Sequence, residues 1–407
     1  MTQKLTLFNV FSMLLLLLSP ILWIYGNPTG WTFEDYITIP VSSVFFLYYF
    51  VTKKGVLGEK NPLPKGLFLY FIYWGLAMMI SSLIFPVAVI QGYLAFFLFF
   101  ATFSQIHFIN FYKFIAIISI VFFIIQEITF HTLGYRISGV ISSLPLHYDM
   151  SMSEYLDVRN NATRSSSFFS EPAHFAHFLL PLLAIELFYD KDKYHFYYSL
   201  LIGVVLLFLQ SGNGLFGLIT ILICAIPFFL REKKKTWIMF FLYFSIIIVG
   251  GYYFINSDIG EVLMNRQSEL SYNYEGGSRS GFLRIWRGYY VFDNYSLIEK
   301  IFGCPNEAHQ LFHVMSSGML IGGSELYFNA IQKILLNTGL IGTGLFVFII
   351  GYLWKGNSFC GRVEIIVLIV LSSMSAIYMS HTMIVLLVLA YGMKLENQEK
   401  SKMLQYK

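Results

Sequence analysis

Residues 164–189 read RSSSFFSEPAHFAHFLLPLLAIELFY, and at Pro172 a polar stretch gives way to an apolar one. From there to Tyr189 the only charged residue is Glu186. A bilayer core of about 30 Å requires a helix of roughly 17–25 mostly apolar residues, and comparable runs recur along the whole chain. The segment therefore predicts a membrane span that begins at Pro172.

Composition excludes a soluble domain. Of the 407 residues, 57% are hydrophobic and 12% charged, which is typical of a polytopic membrane protein. The basic residues are not gathered on one soluble face, so nucleic acid is excluded as a partner. The three cysteines, Cys224, Cys304 and Cys360, suggest neither a disulfide framework nor a metal site.

The apolar segments predict an all-α polytopic membrane protein in which residues 1–407 form a single membrane domain. The final apolar block, Val363 to Met393, has the polar pair Ser380-His381 near its middle, which favours a hairpin of two short helices. The total is then twelve spans, or eleven if this block crosses once. The other predicted spans are 5–25 (uncleaved), 36–52, 67–85, 87–106, 112–130, 172–189, 196–211, 214–230, 237–255 and 328–352.

Charge predicts the orientation, because lysine and arginine collect in cytoplasmic loops. With a cytoplasmic N-terminus and twelve spans, 18 of the 27 basic residues lie inside. Both termini are then cytoplasmic, and the two large polar loops, 131–170 and 256–327, face outward.

Most basic residues of the two outer loops are arginines. Arginine forms paired hydrogen bonds to phosphate or carboxylate and keeps its charge when partly desolvated. The arginines of the outer loops therefore indicate anion binding, although ion pairing with nearby acidic loop residues is the simpler alternative. These arginines are Arg136, Arg159, Arg164, Arg266, Arg279, Arg284 and Arg287.

Glu171 immediately precedes the predicted span. Proline suits the first turn of a helix, so Ser170 or Glu171 is expected to cap it, and a carboxylate there is stabilised by the helix dipole. Capping alone explains a glutamate at this position. The functional alternative is that Glu171 accepts a proton from a substrate hydroxyl or orients it, while Arg164 holds an anionic group.

The larger outer loop contains residues 276–287, GGSRSGFLRIWR. Phe282, Ile285, Trp286 and Tyr289 recur at helical spacing, and Arg284 and Arg287 occupy the other face. This pattern predicts a helix in the membrane interface with its arginines at headgroup height; an interfacial cover with snorkelling arginines is the alternative. Gly276, Gly277 and Gly281 would let the backbone approach a phosphate closely.

The order of these features, over about residues 160–345, resembles that of the Wzy-type O-antigen and capsular polysaccharide polymerases. The sequence departs from this family where many relatives have Ser-Arg and this chain has Gly212-Asn213. Phe328-Asn329 replaces the His-Asn pair of the related O-antigen ligases and disfavours ligase chemistry. The matching motifs are Arg164…Phe169-Ser170-Glu171-Pro172, Ser211-Gly212-Asn213-Gly214, Ser280-Gly281-x-x-Arg284-Ile285, Ile301-Phe302-Gly303 and Asn329…Gly339-Leu340-Ile341-Gly342.

The resemblance implies a GT-C-like fold, in which the large extracytoplasmic loop carries short interfacial helices. It also implies that a glycan on undecaprenyl pyrophosphate is transferred to an incoming lipid-linked repeat unit, on the outer face of a bacterial cytoplasmic membrane. The expected partners are undecaprenyl-pyrophosphate-linked oligosaccharides, membrane lipids, and a chain-length regulator and flippase of the same pathway. No cofactor and no metal are expected.

On this interpretation Glu171, Glu325 and Arg284 are catalytic candidates. The expected substrate-binding residues are Arg164, Arg279, Arg287, Arg266, His309 and Trp286. Three alternatives stay open: an O-antigen ligase, a lipid-linked oligosaccharide flippase or other transporter, and a non-enzymatic sensor or scaffold.

Overall fold

The computed structural model describes residues 7–27, 32, 73, 105–162, 164–189, 194–229, 245, 248, 252, 280–316, 327–378 and 380–405. Within these residues the protein is helical, and its only extended pairings are isolated β-bridges. The helices are α1 (Leu7–Leu22), α2 (Gln105–Leu133), α3 (Met152–Asn160), α4 (Pro172–Phe188), α5 (His195–Phe208), α6 (Gly212–Phe229), α7 (Ser280–Asp293), α8 (Leu297–Phe302), α9 (Glu307–Ser316), α10 (Ala330–Trp354), α11 (Phe359–Met374) and α12 (His381–Gln405).

Three described helices are long and apolar enough to cross a membrane: Phe108–Leu133 within α2, then α6 and α10. The shorter helices α4 and α5 are also apolar. The predicted all-α fold is therefore confirmed for the described residues, and the length and composition of these helices are compatible with a membrane protein. The predicted spans 36–52, 67–85, 87–106 and 237–255 lie almost entirely outside the described residues.

Helix α4 lies at the centre of the bundle. Every residue from 175 to 187 is buried, and the helix packs against α2, α5, α6, α11 and α12. A helix that is apolar on all sides is expected in such a position. Helix α6 approaches it closely because Gly217 has no side chain where it meets Leu180.

Polar contacts join several helix ends at one end of the bundle. Lys113 in α2 forms an ion pair with the buried Glu186 of α4, with 2.7 Å between Nζ and Oε1. The Tyr189 hydroxyl donates a hydrogen bond of 2.8 Å to Glu396 in α12. We call this the Lys113 end.

The opposite end, which we call the Glu171 end, includes the start of α4. There the Trp23 and His174 rings lie 5.8 Å apart, which joins the end of α1 to the start of α4. His177 Nε2 lies 3.2 Å from the Ser375 hydroxyl, and the Ser375 carbonyl accepts a 2.9 Å hydrogen bond from the Ala330 N–H. The start of α4, the end of α11 and the start of α10 therefore meet at one end.

The final apolar block folds as two packed helices, α11 and α12, separated by residues 375–380. The break falls where Ser380-His381 predicted a hairpin. At the Lys113 end, the Asn357 amide donates hydrogen bonds to the carbonyls of Leu353 and Ala390, at 3.0 and 2.8 Å. One side chain thus joins the end of α10 to α12.

Helix α10 has a kink at Gly339, where φ is +60° and ψ is −163°. A Cβ atom there would lie 2.5 Å from the Gly303 nitrogen and 2.5 Å from the Ile301 oxygen. Gly303 also has a positive φ, +85°. The Ile301-Phe302-Gly303 motif and the Gly339 motif are therefore in direct backbone contact, and both glycines are required by that contact.

We expect Gly339→Ala to destabilise the protein by at least about 2 kcal/mol. A left-handed backbone costs an alanine about 1–2 kcal/mol, and the overlap with the Gly303 segment adds to that cost. Thermal unfolding of the purified protein in detergent measures the effect. Gly344→Ala is the matched control on the same helix, because no atom lies within 4 Å of its added methyl group. Equal midpoints for the two variants would contradict the close contact at Gly339.

The two ends of the bundle also allow a test of orientation. Ser153 is exposed on α3 at the Glu171 end, and Gln398 is exposed on α12 beyond Glu396. The lysine distribution predicts that Ser153→Cys reacts with an impermeant thiol reagent applied from outside spheroplasts, while Gln398→Cys reacts only after permeabilisation. Mass mapping of labelled peptides separates these sites from the native cysteines. The opposite pattern would reverse the predicted orientation.

Candidate functional site

The segment before α4 is held by an arginine that donates to backbone carbonyls. The Arg159 guanidinium of α3 donates hydrogen bonds to the carbonyls of Ser170 at 2.6 Å, Phe169 at 2.7 Å and Ser167 at 3.4 Å. Burial lowers the pKa of Arg159, but a guanidinium keeps its charge in proteins. This arginine therefore fixes the path of the chain into Glu171.

Ser167 is the most constrained residue of this segment. It is fully buried with φ of +54°, a conformation that costs a non-glycine residue about 1–2 kcal/mol. Its N–H donates a 2.8 Å hydrogen bond to Gln126 Oε1, and its hydroxyl donates one of 2.7 Å to the Ser119 carbonyl. Two contacts with α2 thus hold the turn.

Arg136 also has a structural role. Its Nε donates a 2.8 Å hydrogen bond to the Ser165 hydroxyl, and a second nitrogen donates to the Ala162 carbonyl. The guanidinium lies 3.5 Å from the Glu127 carboxylate and 3.4 Å from the centre of the Phe130 ring. Arg136 and Arg159 therefore bind the protein's own backbone, and neither forms an ion pair with the acidic residues of its own loop within the described residues.

Glu171 occupies the N-cap position of α4 with an extended backbone, and Pro172 fills the first turn as predicted. The Glu171 side chain makes no capping hydrogen bond and is exposed. Instead, the Ser170 hydroxyl forms a 2.5 Å hydrogen bond with His174 Nδ1. The carboxylate thus lies at the positive end of the α4 dipole, which stabilises its charge, although it makes no capping hydrogen bond.

Aromatic rings line the region beside Glu171. Trp23, which is 37% exposed, lies edge-on to Tyr148 at 6.1 Å and to His174 at 5.8 Å, and Tyr148 stacks on Tyr155 at 5.2 Å. Burial and the nearby Tyr155 and Glu171 raise the pKa of Tyr148, so its hydroxyl is a neutral donor at neutral pH. Sequence reasoning missed these residues because Trp23 fell inside the predicted span 5–25 and Tyr148 inside a loop.

Arg164 connects this region to the start of α6. It is exposed, and its Nη1 donates a 3.1 Å hydrogen bond to the carbonyl of Gln210, whose φ is +51°. The Ser-Gly-Asn-Gly motif follows directly, and a Cβ atom on Gly214 would lie 2.9 Å from the Ala176 methyl group. The Arg164…Glu171 motif and the break before α6 are therefore neighbours at the Glu171 end.

Helix α7 confirms the helix predicted over residues 282–292. Trp286 is 51% exposed and Tyr289 is also exposed, whereas Arg287 is buried at 6%. Gly288 lies against Gln332, where an added Cβ atom would come within 2.6 Å. Burial lowers the pKa of Arg287. Arg287 therefore lies on the protein-facing side of α7, opposite to the exposed aromatic rings.

His309 belongs to a second cluster, on α8 and α9. Its Nε2 lies 2.8 Å from Glu299 Oε1 and 3.2 Å from His313 Nε2. Although burial opposes its ionisation, the hydrogen bonds from Ser296 and the charges of His309 and His313 lower the pKa of Glu299. His309 is thus engaged by its own loop.

Some of the predicted site residues belong to elements that contact one another, whereas others lie outside the described residues. Arg164 contacts the Gln210 carbonyl before α6, and Glu171 stands at the start of α4, which packs against α6. Helix α7, with Trp286 and Arg287, contacts the first turn of α10, which Ser375 joins to α4. Of Arg284 the structure describes only the helical backbone. Glu325, Arg266 and Arg279 lie outside the described residues.

Glu364 was also missed from the sequence, where only Glu127 and Glu186 were counted as charged residues within the predicted spans. Glu364 in α11 is fully buried, and neither carboxylate oxygen has a hydrogen-bond partner among the described residues. An ionisable residue at such a position marks a candidate functional group. The sequence did mark this residue, because Glu364 is the only acidic residue of the apolar block Val363 to Met393.

A scan against protein-family models and a search of curated proteins both find no match for this chain. The functional argument therefore depends on the motifs and on the geometry around Glu171.

We expect Arg159→Lys to destabilise the protein by about 2 kcal/mol or more, because one ammonium group cannot reach three carbonyls and each hydrogen bond to a charged group contributes about 1.5–3 kcal/mol. Protease cleavage within residues 161–171 should become faster. Asp157→Asn, on an exposed position of the same helix, is the control. If Arg159→Lys matched wild type in both thermal midpoint and cleavage rate, the carbonyl contacts would contribute nothing.

Proposed function

We propose that this protein is a glycosyltransferase that polymerises oligosaccharide repeat units linked to undecaprenyl pyrophosphate. It transfers the growing glycan to the incoming lipid-linked unit at the outer face of the bacterial cytoplasmic membrane. The observation that carries the proposal is the exposed Glu171 carboxylate, held at the start of the buried helix α4 but making no capping hydrogen bond.

The position of Glu171 suits a base that acts on a sugar hydroxyl. Its backbone is fixed by Pro172, by the Ser170–His174 hydrogen bond and by the carbonyl contacts of Arg159. A catalytic carboxylate works best when a rigid element holds it, because little reorganisation is then needed on reaction. Its exposure leaves room for a substrate hydroxyl at hydrogen-bond distance.

The residues around Glu171 fit a lipid-linked sugar. The half-exposed Trp23 ring offers an apolar face to the C–H groups of a sugar, and the Tyr148 hydroxyl offers a donor. Arg164 is exposed a few residues before Glu171 and supplies a positive charge for a phosphate. A carbohydrate and an anionic group can thus be bound side by side.

The proposed transfer step exchanges one bond at C1 of the donor glycan for another. The acceptor hydroxyl oxygen forms a bond to C1 of the donor glycan as the bond from C1 to the pyrophosphate oxygen breaks. The hydroxyl proton passes to Glu171, with Glu325 as the alternative base. The pyrophosphate leaves with its charge stabilised by arginine, as expected for preorganised donors at a developing anion.

The arginines of the larger loop are proposed to bind that pyrophosphate. Arg284 is first among them because it matches the family motif and lies one turn before Arg287 on α7. The exposed ring of Trp286 would anchor α7 at the membrane surface. Arg266, Arg279 and Arg287 complete the proposed substrate-binding set, whereas His309 is engaged by Glu299 and His313.

Purified protein given lipid-linked repeat units should produce a ladder of glycan lengths. We expect Glu171→Gln to lower the initial rate by at least about 100-fold, the range for loss of a general base. Asp149→Asn, an exposed acid in the same outer loop, should retain the wild-type rate. A wild-type rate in Glu171→Gln together with a lost rate in a Glu325→Gln variant would transfer the role to Glu325.

The same assay separates the alternatives. A ligase would transfer a single glycan to a different acceptor and give no ladder. A flippase would move the lipid-linked unit between leaflets of a vesicle without forming a product, and a scaffold would do neither. Absence of a ladder from an active, folded preparation would overturn the proposed function.

A further inference from the structure

Three side chains of the α8–α9 segment bring metal-binding atoms close together, and a fourth, His313, lies beside one of them. The donor atoms of Glu299, Cys304 and His309 all lie within 4.8 Å of one another. His313 Nε2 lies 3.2 Å from His309 Nε2, with the two ring planes at 90°. The four residues are half-buried, so the point is shielded but reachable from solvent.

The backbone around these ligands is fixed by contacts outside the cluster. The Cys304 N–H donates a 2.7 Å hydrogen bond to the Leu336 carbonyl of α10. The Cys304 carbonyl accepts hydrogen bonds from the Gln310 amide at 2.9 Å and the Tyr295 hydroxyl at 3.2 Å. The cysteine is thereby held beside α10, while Glu299 is fixed by its capping role at Ser296.

Hydrogen bonding alone does not satisfy this arrangement. His309 Nε2 carries either one proton or one lone pair in the ring plane, yet it lies within hydrogen-bond distance of both the Glu299 carboxylate and His313 Nε2. If His309 Nε2 carries a proton, it can donate a well-aligned hydrogen bond to only one of these two neighbours. If it carries a lone pair, that lone pair faces the carboxylate oxygens of Glu299. A cation between the donor atoms would be bound by all of them.

We propose that Glu299, Cys304, His309 and His313 form a structural zinc site. One thiolate, two imidazoles and one carboxylate are the ligands that zinc takes in proteins. With Zn–N distances of about 2.0–2.1 Å, two nitrogens of a tetrahedral site are about 3.3 Å apart, close to the 3.2 Å between the two Nε2 atoms. The 2.8 Å between His309 Nε2 and Glu299 Oε1 is shorter, so this pair would separate by about 0.5 Å when the ion binds.

The site would clamp α8 to α9 beside the junction of Gly303 and Gly339. It departs from the expectation that the large loop binds no metal. It does not depend on the proposed glycan transfer, since the ion would hold the loop rather than act on a sugar.

The test uses the full chain, purified in detergent through an affinity tag that contains no histidine. After dialysis without chelator, elemental analysis should find about one zinc per wild-type chain, the stoichiometry of a four-ligand site. Replacement of zinc by Co²⁺ should give the near-ultraviolet band of a cobalt–thiolate bond and strong visible bands of tetrahedral coordination. Chelation should then lower the thermal midpoint, and added Zn²⁺ should restore it.

Matched variants identify the ligands. Cys304→Ser should lose the cobalt–thiolate band, and His309→Gln and His313→Gln should lose stoichiometric zinc. Cys224→Ser and His131→Gln, at positions away from the cluster, should keep both signals. Cobalt titration of the wild-type chain tests the site even if a variant fails to fold.

Two results would overturn the proposal. The first is a wild-type chain that stays free of zinc and gives no cobalt–thiolate band after titration, which would leave only the Glu299–His309 ion pair and a hydrogen bond between histidines. The second is zinc retained equally by Cys304→Ser and His309→Gln, which would place the ion elsewhere.

Discussion

Backbone N–H and C=O groups that lack water must find partners inside the protein, and this requirement governs every interruption of the helices described here. Within the helices the backbone bonds to itself. Where it turns, long polar side chains supply the partners: Gln126 and Arg159 for the segment before α4, and the Tyr73 hydroxyl for the carbonyls of Phe302 at 2.8 Å and Thr338 at 3.1 Å. Side-chain hydrogen bonds therefore hold these two irregular segments in place.

This requirement changes the interpretation of the arginines. Their excess in the two outer loops suggested anionic ligands, but Arg136 and Arg159 donate to carbonyls and hydroxyls of their own loop. Both uses depend on the same property, a planar charged group with several donors. These two arginines fix the backbone that carries the exposed Glu171 side chain, so the proposed anion-binding role is assigned to other arginines, Arg164 and Arg284.

Local pattern was sufficient to predict much of the fold. Helix α4 begins at Pro172 as predicted, the block after Val363 forms two helices, and α7 covers the amphipathic run. These features depend on residues close together in the chain. The contacts of Arg136 with Ser165 and of Gly303 with Gly339 join segments about 30 residues apart. The sequence pattern of one segment does not predict which distant segment it contacts.

The candidate sites show the same limit. Glu171 was identifiable because a proline and an apolar run define its position locally. Trp23 is brought to it from α1 across more than 140 residues, and the Glu299 cluster combines donors from α8, the following turn and α9. A lone cysteine in a loop gave no reason to expect a metal before Glu299, His309 and His313 were known to surround it.

Helix α10 links the two regions physically. Asn329 and Gln332 cap its first turn reciprocally, at 2.9 and 3.2 Å, and this turn contacts both Gly288 of α7 and Ser375, which follows α11. About two turns later, the kink at Gly339 contacts the Gly303 backbone, and the next residue, Cys304, donates its N–H to the Leu336 carbonyl of α10. Because the left-handed backbone at Gly339 is fixed by contacts on both segments, α10 cannot straighten without releasing the α8–α9 segment. The described part of the large loop therefore packs on α10, and the first turn of α10 bonds to Ser375, which also contacts His177 of α4.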